Sequence, residues 1–231
     1  MKVAGAILIN NASPLIEDCV FENNTSQYGG AIYARISSAT IHNCSFVNNS
    51  ALYDGGAVQG LNSGLTLSSC DFIENHAGNR GGAAHQSSLN ALPSETVVGC
   101  LFQGNDAVQG GALSYYITSG AHKISILESE FSANESPDGG AIWTNLVNGV
   151  VSIGSTTICG NAPPQIVSGS WIDLGENAIF CDSDFDCSGG VGAEDLAVLL
   201  GCWGIGGCDL NGDGVVGSAD LAILLGDWGP C

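Results

Sequence analysis

The chain has almost no basic residues. Its 231 residues include four Lys and Arg against 23 Asp and Glu, and the formal net charge at pH 7 is −19. A surface with this charge repels the phosphates of nucleic acids and the anionic headgroups of membranes. We therefore expect no nucleic-acid partner, whereas the same charge favours the binding of cations.

Long apolar runs are also missing. No segment approaches the ~18–20 apolar residues that a membrane-spanning helix needs, so we expect no membrane insertion. The apolar stretch near the N-terminus is too short for a signal peptide. It runs directly into repeated sequence, because Gly5-Ala6-Ile7 already matches Gly30-Ala31-Ile32. These features predict an array that is truncated at its N-terminus, from a secreted or cell-surface protein.

Helical periodicity is absent before residue 192, and a different repeat is present in its place. The motif Phe-x-x-Asn occurs five times, and Gly-Gly-Ala follows each copy. Successive Asn residues are 25, 26, 30 and 29 positions apart, and Ile158-x-x-Asn161 follows 27 positions later. A period this regular indicates a stack of similar coils. The repeated residues are Phe21, Phe46, Phe72, Phe102 and Phe131 with Asn24, Asn49, Asn75, Asn105 and Asn134.

Each coil consists of short strand-like runs separated by sharp corners. One run precedes each Phe, another follows each Gly-Gly, and Asn and Gly occupy the corners. The pattern predicts an all-β parallel β-helix of about six coils, with Phe stacked on Phe and Asn on Asn at ~4.8 Å. Four cysteines each stand two positions before a Phe, so we expect them to be reduced, stacked and buried like small apolar side chains. They are Cys19, Cys44, Cys70 and Cys100.

The pairing of Phe-x-x-Asn with Gly-Gly-Ala resembles the repeats of chlamydial polymorphic outer-membrane proteins and of planctomycete surface proteins. The resemblance covers residues 1–160 and implies a right-handed parallel β-helix. In the chlamydial family such arrays act as adhesins. The residues that match here are those that build the coil, so the resemblance bears on the fold more than on the function.

The other six cysteines lie in the C-terminal third of the chain. Clustering of this kind favours disulfides in a secreted module, whereas zinc binding is less favoured because no CxxC pair is present. We expect Cys159 to pair with Cys181 and Cys202 to pair with Cys208.

An acidic duplication follows residue 182, and it contains no Lys or Arg. A twelve-residue calcium loop takes oxygen ligands at fixed positions, with Gly at the sharp turn. Two copies of this spacing favour two bound calcium ions over a solvated acidic loop, with tighter binding at the second copy because Ser188 is a weak ligand. The first loop would supply Asp184, Asp186, Ser188, the Gly190 carbonyl and Asp195, and the second Asp209, Asn211, Asp213, the Val215 carbonyl and Asp220.

Paired calcium loops, each followed by one helix and by a Trp-Gly ending at Trp203 or Trp228, resemble dockerin type I modules. The resemblance implies calcium-dependent folding and binding to a cohesin-like domain through the helices. It also implies that the ends of the module approach each other, which suggests the pair Cys187–Cys231. The helix-start residues Ser218-Ala219 and Ala193-Glu194 differ from the Ser-Thr-like pair with which that family selects cohesins.

These observations divide the chain into a β-helix (1–160), a connector that caps it (161–181) and a dockerin-like module (182–231). Trp171 and Leu174 are candidates to cover the last coil, since an array needs a cap. The sequence favours a non-catalytic protein that presents a binding surface to a cell-surface or polysaccharide component. The bases and His residues of the array show no shared arrangement, which argues against catalysis by these coils. The alternative is therefore a polysaccharide lyase or glycoside hydrolase whose catalytic coils lie upstream.

Overall fold

The computed structural model of the protein describes residues 3–89, 94–119, 122–162, 164–167, 171–205 and 208–231. Its main body is a solenoid of parallel strands, in agreement with the predicted β-helix. The strands in chain order are β1 (Ile7–Asn10), β2 (Leu15–Glu17), β3 (Val20–Glu22), β4 (Thr25–Ser26), β5 (Ile32–Arg35), β6 (Thr40–His42), β7 (Ser45–Val47), β8 (Ser50–Ala51), β9 (Val58–Leu61), β10 (Thr66–Ser68), β11 (Asp71–Ile73), β12 (His76–Ala77), β13 (Ala84–Ser88), β14 (Glu95–Val98), β15 (Leu101–Gln103), β16 (Leu113–Ile117), β17 (Lys123–Leu127), β18 (Glu130–Ser132), β19 (Ile142–Leu146), β20 (Val150–Gly154), β21 (Thr157–Cys159), β22 (Ile166–Val167), β23 (Trp171–Asp173) and β24 (Ala178–Ile179).

Three long sheets run along the solenoid, each with one strand from every coil. Sheet A is β1-β5-β9-β13-β16-β19-β22, sheet B is β2-β6-β10-β14-β17-β20-β23, and sheet C is β3-β7-β11-β15-β18-β21-β24. A short fourth sheet joins β4, β8 and β12. Every pairing in these sheets is parallel, so equivalent residues of successive coils lie directly above one another.

The Phe residues form one continuous stack inside sheet C, as the sequence predicts. Their ring centroids are 4.9, 4.8, 4.9 and 4.7 Å apart, with interplanar angles of 10° or less. Phe46, Phe72, Phe102 and Phe131 are fully buried. Ile158 continues the stack as the strand partner of Phe131. The stack therefore forms the centre of an apolar core that runs the length of the solenoid.

The predicted Asn ladder is also present, and it bonds both along the axis and to the backbone. In each step the side-chain amide and the backbone N–H of one Asn donate to Oδ1 of the next, as from Asn75 to Asn105 at 3.0 Å for both bonds. The Asn105 amide also donates to the Phe72 carbonyl at 2.9 Å. At the end of the ladder, Asn161 donates to Oε1 of Gln165. Gln165 thus replaces the missing next Asn.

The two glycines of each Gly-Gly corner are required for different reasons. The first glycine has a positive φ, for example 67° at Gly55, which side chains with a Cβ rarely adopt. The second, such as Gly56, lies so close to the next coil that a Cβ would clash with the carbonyl oxygen of Gly82. The motif is therefore a requirement of coil stacking at this corner.

The four ladder cysteines are unpaired thiols, as predicted, but they do more than fill space. Each thiol donates to the carbonyl two residues before it, as from Cys70 to Ser68 at 3.2 Å. In the following coils Ser129 and Thr156 make the same bond through their hydroxyls. The column is thus a series of turn-forming donors in which Cys, Ser and Thr are interchangeable, rather than a purely apolar one.

Two ionisable side chains lie inside the solenoid among these apolar residues. Glu95 is 6% exposed and Tyr115 is 1% exposed. Glu95 Oε2 and the Tyr115 hydroxyl have no hydrogen-bond partner within the described ranges. Burial raises the pKa of Glu95 to about 8, and the nearby Tyr115 hydroxyl opposes the shift. The carboxyl group is therefore held in its protonated form at neutral pH.

The connector continues the solenoid. Strands β22, β23 and β24 add to sheets A, B and C of the last coil, each in parallel register. Trp171 and Leu174, expected to cover the last coil, are instead 36% and 55% exposed. Neither side chain is therefore buried over the last coil. Residues 163 and 168–170 of the predicted connector lie outside the described residues.

The C-terminal segment contains two short helices, α1 (Ala193–Gly201) and α2 (Ser218–Gly226). Two short strands, β25 (Gly190–Val191) and β26 (Gly229–Pro230), pair in antiparallel fashion. A small apolar cluster built on Val191, Leu199, Val216 and Leu224 lies between the helices. Among the described residues, neither helix reaches the length and apolarity that crossing a membrane requires.

The disulfides differ from the expected pairing at two of three positions. Cys202–Cys208 is present, but Cys159 pairs with Cys187 and Cys181 pairs with Cys231. The expected pairs Cys159–Cys181 and Cys187–Cys231 are therefore wrong. The reason is that β25 pairs with β26, which brings the C-terminus back to residue 181 and leaves the first acidic loop against the last coil. Two disulfides thus tie the C-terminal segment to the solenoid.

Candidate functional site

The first acidic loop brings its three carboxylates together. Oxygen atoms of Asp184, Asp186 and Asp195 all lie within 4.8 Å of one another. Asp184 and Asp195 are each 1% exposed, whereas Asp186 is exposed to solvent. Side-chain oxygens from three residues at this separation can converge on one cation. These are three of the five residues that the sequence assigned to the first site.

Backbone N–H groups fix two of these carboxylates in place. Asp184 accepts from the N–H groups of Ser188 and Gly189, at 3.1 and 2.9 Å. Asp195 accepts from Phe185 at 2.7 Å and, through its other oxygen, from Gly192 at 2.7 Å. The loop therefore closes on itself from both ends. Its turn residue, Gly189, has a φ of 90°, as expected for the glycine of a calcium loop.

The remaining two predicted groups of the first loop contact each other. The Ser188 hydroxyl donates to the Gly190 carbonyl oxygen at 3.0 Å. Gly190 belongs to β25, which fixes the position of this carbonyl through the pairing with β26. The Ser188 N–H also donates to Asp186 Oδ1 at 3.0 Å.

The second loop repeats this hydrogen-bonding scheme twenty-five residues later. Asp220 accepts from the N–H groups of Leu210 and Gly217, at 2.9 and 2.7 Å, as Asp195 does from Phe185 and Gly192. Asp209 accepts from Gly212 and Gly214, and Gly214 has a φ of 93°. Two segments that differ in sequence at several positions therefore adopt one loop structure.

The two loops differ in exposure at their first carboxylate, because Asp184 is 1% exposed whereas Asp209 is half-buried. The predicted ligands Asn211 and Asp213 are exposed and contact each other, with the Asn211 amide donating to Asp213 Oδ2 at 3.1 Å. The Val215 side chain is 53% exposed, and its N–H donates to Asp213 Oδ1. The described carboxylates of this loop do not form a group as compact as that of the first loop. The second loop is therefore the more open of the two.

An approximate two-fold relation links the two halves of the module. Val191, just after the first loop, pairs with the segment after α2. Val216, just after the second loop, exchanges backbone bonds with the segment after α1, accepting from Gly204 at 3.0 Å and donating to Ile205 at 3.1 Å. Each loop is thus supported by the chain that follows the opposite helix, so the halves fold as one unit.

The electrostatics of the loops favour a cation. Burial raises the pKa of Asp184, and the neighbouring Asp195 charge adds to the shift. Burial also acts on Asp220, but several backbone N–H bonds outweigh it and lower the pKa of that carboxyl. The residues after 182 include no Lys or Arg that could neutralise these groups. The donor set of carboxylate, hydroxyl and carbonyl oxygens fits calcium, a hard cation that prefers oxygen ligands.

Sequence reasoning missed one concentration of side chains on the solenoid. Arg35 and Arg80 appear unrelated in the repeat, yet both lie on the outer side of sheet A and its preceding corner. The Arg80 guanidinium lies 4.8 Å from the ring centroid of Tyr116 and 5.7 Å from that of Trp143. Alignment of the coils by their strand register, rather than by distance from Gly-Gly, is the signal that would have found this face.

A buried His-Ser pair lies beneath this corner. His85 Nδ1 is 2.6 Å from Ser114 Oγ, and the two residues are strand partners on the outer side of sheet A. Burial and the nearby Arg80 charge lower the pKa of His85 to about 3. A neutral imidazole beside a hydroxyl has the chemistry of a base and a nucleophile. However, His85 is 3% exposed and Ser114 is fully buried, so neither can reach a substrate in this conformation.

Comparison with known proteins bears on the solenoid. The family model described as "Right handed beta helix region" matches residues 1–158, and the chain belongs to this family. The match covers the region of the Phe stack and the Asn ladder. Searches of curated proteins and of solved structures each return no match.

Proposed function

We propose that this is a non-catalytic extracellular or cell-surface β-helix protein. Its solenoid presents a binding surface, and its C-terminal segment is a dockerin-like module that binds two calcium ions and serves attachment or assembly. A cohesin-like domain or a cell-surface component is the partner that this proposal assigns to the module. The three disulfides are consistent with an oxidising, extracellular location.

The observation that carries the calcium proposal is the repeated loop structure. In each loop, one carboxylate at the start and one at the end accept backbone N–H bonds, and in the first loop three carboxylates have oxygens within 4.8 Å of one another. Asp184, Asp186, Ser188, Gly190 and Asp195 would hold the first ion. The corresponding residues of the second loop are Asp209, Asn211, Asp213, Val215 and Asp220. Calcium would supply charge neutralisation and cross-link the ends of each loop.

The relative affinity of the two loops follows from two opposing features. Ligand chemistry favours the second loop, which has Asp213 where the first has Ser188. Preorganisation favours the first loop, whose carboxylates are already gathered and whose neighbour Cys187 is bonded to Cys159. Cys208, the neighbour of Asp209, is likewise bonded, to Cys202, so we propose that ligand chemistry decides and that the second loop binds more tightly.

Calcium titration by isothermal calorimetry tests this proposal on the full chain with its disulfides intact. Asp184→Asn should weaken one site and Asp209→Asn the other, and two binding steps should be resolved in the parent protein. Asp71→Asn is a matched control, because Asp71 is an exposed carboxylate on the solenoid. Absence of calcium binding in the parent, or equal loss in the control, would refute the proposal.

The non-catalytic part of the proposal is tested separately. The protein is incubated with acidic and neutral polysaccharides, and reducing ends and unsaturated products are measured. No product is expected from the His85–Ser114 pair, because it is buried. The exposed His42–Ser68 pair, with 3.0 Å between Nδ1 and Oγ, is the site to which any product would be traced first. Release of product would favour the alternative of a polysaccharide-degrading enzyme.

A further inference from the structure

Tyrosine is scarce in this chain and concentrated at one corner of the solenoid. Three of the five Tyr residues lie within two successive coils, where Tyr28 and Tyr33 flank one Gly-Gly pair and Tyr53 precedes the next. The ring centroid of Tyr28 is 5.1 Å from that of Tyr53 and 6.2 Å from that of Tyr33. The closest contact in this cluster therefore joins rings of different coils.

Tyr28 and Tyr53 occupy the same position in successive coils. The Tyr53 N–H donates to the Gln27 carbonyl oxygen at 3.0 Å, which is the parallel-strand bond that places Tyr53 opposite Tyr28. Backbones paired in this way are ~4.8 Å apart, so the two side chains leave the chain next to each other. Their rings meet at an interplanar angle of 32°. Coil stacking thus holds two phenols in contact although they are 25 positions apart in the sequence.

The pair is open to solvent. Tyr53 is 42% exposed, and Tyr28 is half-buried. An oxidant can therefore reach Tyr53, and a proton released from its hydroxyl can pass to water. The ring contact between Tyr116 and Trp143 differs in this respect, because Trp143 is only 8% exposed and the centroids are 6.5 Å apart.

The free thiols, which also react with oxidants, lie elsewhere in the coil. The cysteine ladder stands at the corner before sheet C, whereas the tyrosines stand at the corner before sheet A. Cys44, Cys70 and Cys100 are also buried, and oxidation of a thiol requires access. A radical formed on Tyr53 therefore has the Tyr28 ring as its neighbour in contact.

We propose that Tyr28 and Tyr53 are a site of oxidative cross-linking, at which the two rings are joined as dityrosine. The oxidant is hydrogen peroxide acting with a haem peroxidase. Each phenol gives up one electron and its hydroxyl proton. The two radicals form one carbon–carbon bond between the ring carbons next to the oxygens, and the hydrogen of each of these carbons moves to the phenol oxygen. The peroxide takes up the two electrons and two protons and leaves as two water molecules.

The cross-link would fasten one coil to the next. It closes a loop of about 25 residues, and covalent closure of a loop restricts the unfolded chain, as a disulfide does. The folded coils need little rearrangement, because the rings are already in contact. This modification goes beyond the proposed function, since it uses neither the acidic loops nor a ligand of the solenoid.

Treatment of the full chain with peroxidase and hydrogen peroxide tests this inference. A photo-oxidised ruthenium complex with persulfate is the second oxidant, because it is small enough to act without docking on the protein. The monomer should gain dityrosine fluorescence and lose the mass of two hydrogen atoms. Peptide mapping should find the fragment with Tyr28 joined to the fragment with Tyr53. The cross-linked monomer should also unfold at a higher urea concentration than the untreated protein.

Tyr28→Phe and Tyr53→Phe each keep the ring but remove the hydroxyl, so both should abolish the link within the monomer. Tyr116→Phe is the matched control and should leave the yield unchanged, because Tyr116 is a half-buried tyrosine whose ring contacts Arg80 and Trp143 instead. The inference would be overturned by no link in the parent with either oxidant, by links between other residues or only between molecules, or by an undiminished yield in both Phe variants. Calcium titration of the same preparations tests the proposed function separately, so failure of either proposal is seen in its own measurement.

Discussion

The buried carboxyl of Glu95 makes a prediction about the pH dependence of solenoid stability. Its pKa rises from the ordinary value of 4.5 to about 8 in the folded protein. Above pH 4.5 the unfolded chain therefore releases this proton while the folded chain retains it, so rising pH favours unfolding. The contribution is fully present below pH 4.5 and is lost as the pH approaches 8.

The magnitude follows from the size of this window. At ~1.4 kcal/mol per pH unit, the free energy of unfolding should fall by about 5 kcal/mol between pH 4.5 and pH 8. Glu95→Gln removes the ionisable proton but keeps the shape of the side chain. The free energy of unfolding of Glu95→Gln minus that of the parent should therefore increase by about 5 kcal/mol from pH 4.5 to pH 8.

Urea unfolding followed by the far-ultraviolet β signal measures this difference at pH 4.5, 6, 7 and 8.5. Glu130→Gln is the matched control, because Glu130 is an exposed carboxylate on β18 of the same solenoid. The general effect of the high net charge is common to all three proteins and cancels in the comparison. A stability difference between Glu95→Gln and the parent that stays constant from pH 4.5 to pH 8.5 would refute the reasoning.

Three further predictions concern the ladders of the solenoid, each read from urea unfolding. Phe72→Ala should cost ~3–5 kcal/mol of unfolding free energy, because it removes a fully buried ring between two stacked neighbours. The control Val20→Ala, at a 66% exposed position, should change stability by under ~1 kcal/mol. Equal costs would contradict the stacked core. Asn105→Leu should cost ~2–4 kcal/mol, since it leaves the Phe72 carbonyl and the Asn75 N–H without their partners, and a neutral effect would argue against the ladder. Cys70→Ser should stay within ~1 kcal/mol because Ser129 already makes the equivalent bond, and a large loss would show that the thiol acts chiefly through apolar packing.

Much of the solenoid could be predicted because its information is local and repeated. The Phe stack, the Asn ladder and the reduced cysteines follow from the register of one motif. A wrong alignment of one coil would be inconsistent with the next copy of the motif and could be recognised. The donor role of the thiols was missed because Cys alone suggests an apolar side chain. Only the replacement of Cys by Ser129 and Thr156 at the same position indicates the shared hydrogen bond.

The disulfides could not be predicted in the same way, because they depend on a unique contact. No repeated motif relates the last coil to the first acidic loop, so the sequence gives no register between them. Cys159 and Cys181 were paired because they are consecutive cysteines in the sequence. The pairing of β25 with β26 decides the outcome instead, and it joins residues almost forty positions apart. The contact of Arg80 with Tyr116 was missed for a related reason, since a corner residue and a strand residue meet only when successive coils are stacked.

The placement of the disulfides has a mechanical consequence. Cys159–Cys187 and Cys181–Cys231 fasten the C-terminal segment near both of its ends to the final turns of the solenoid. A tensile force applied to α2 would therefore pass into the solenoid through the Cys181–Cys231 bond without crossing either acidic loop. A force applied to α1 would reach the Cys159–Cys187 bond within the first loop, before Asp184 and Asp186. Even if the loops opened, the segment could extend only as far as these two tethers allow. The solenoid and a partner bound to the C-terminal segment would thus stay closer together under force than they would without the two disulfides.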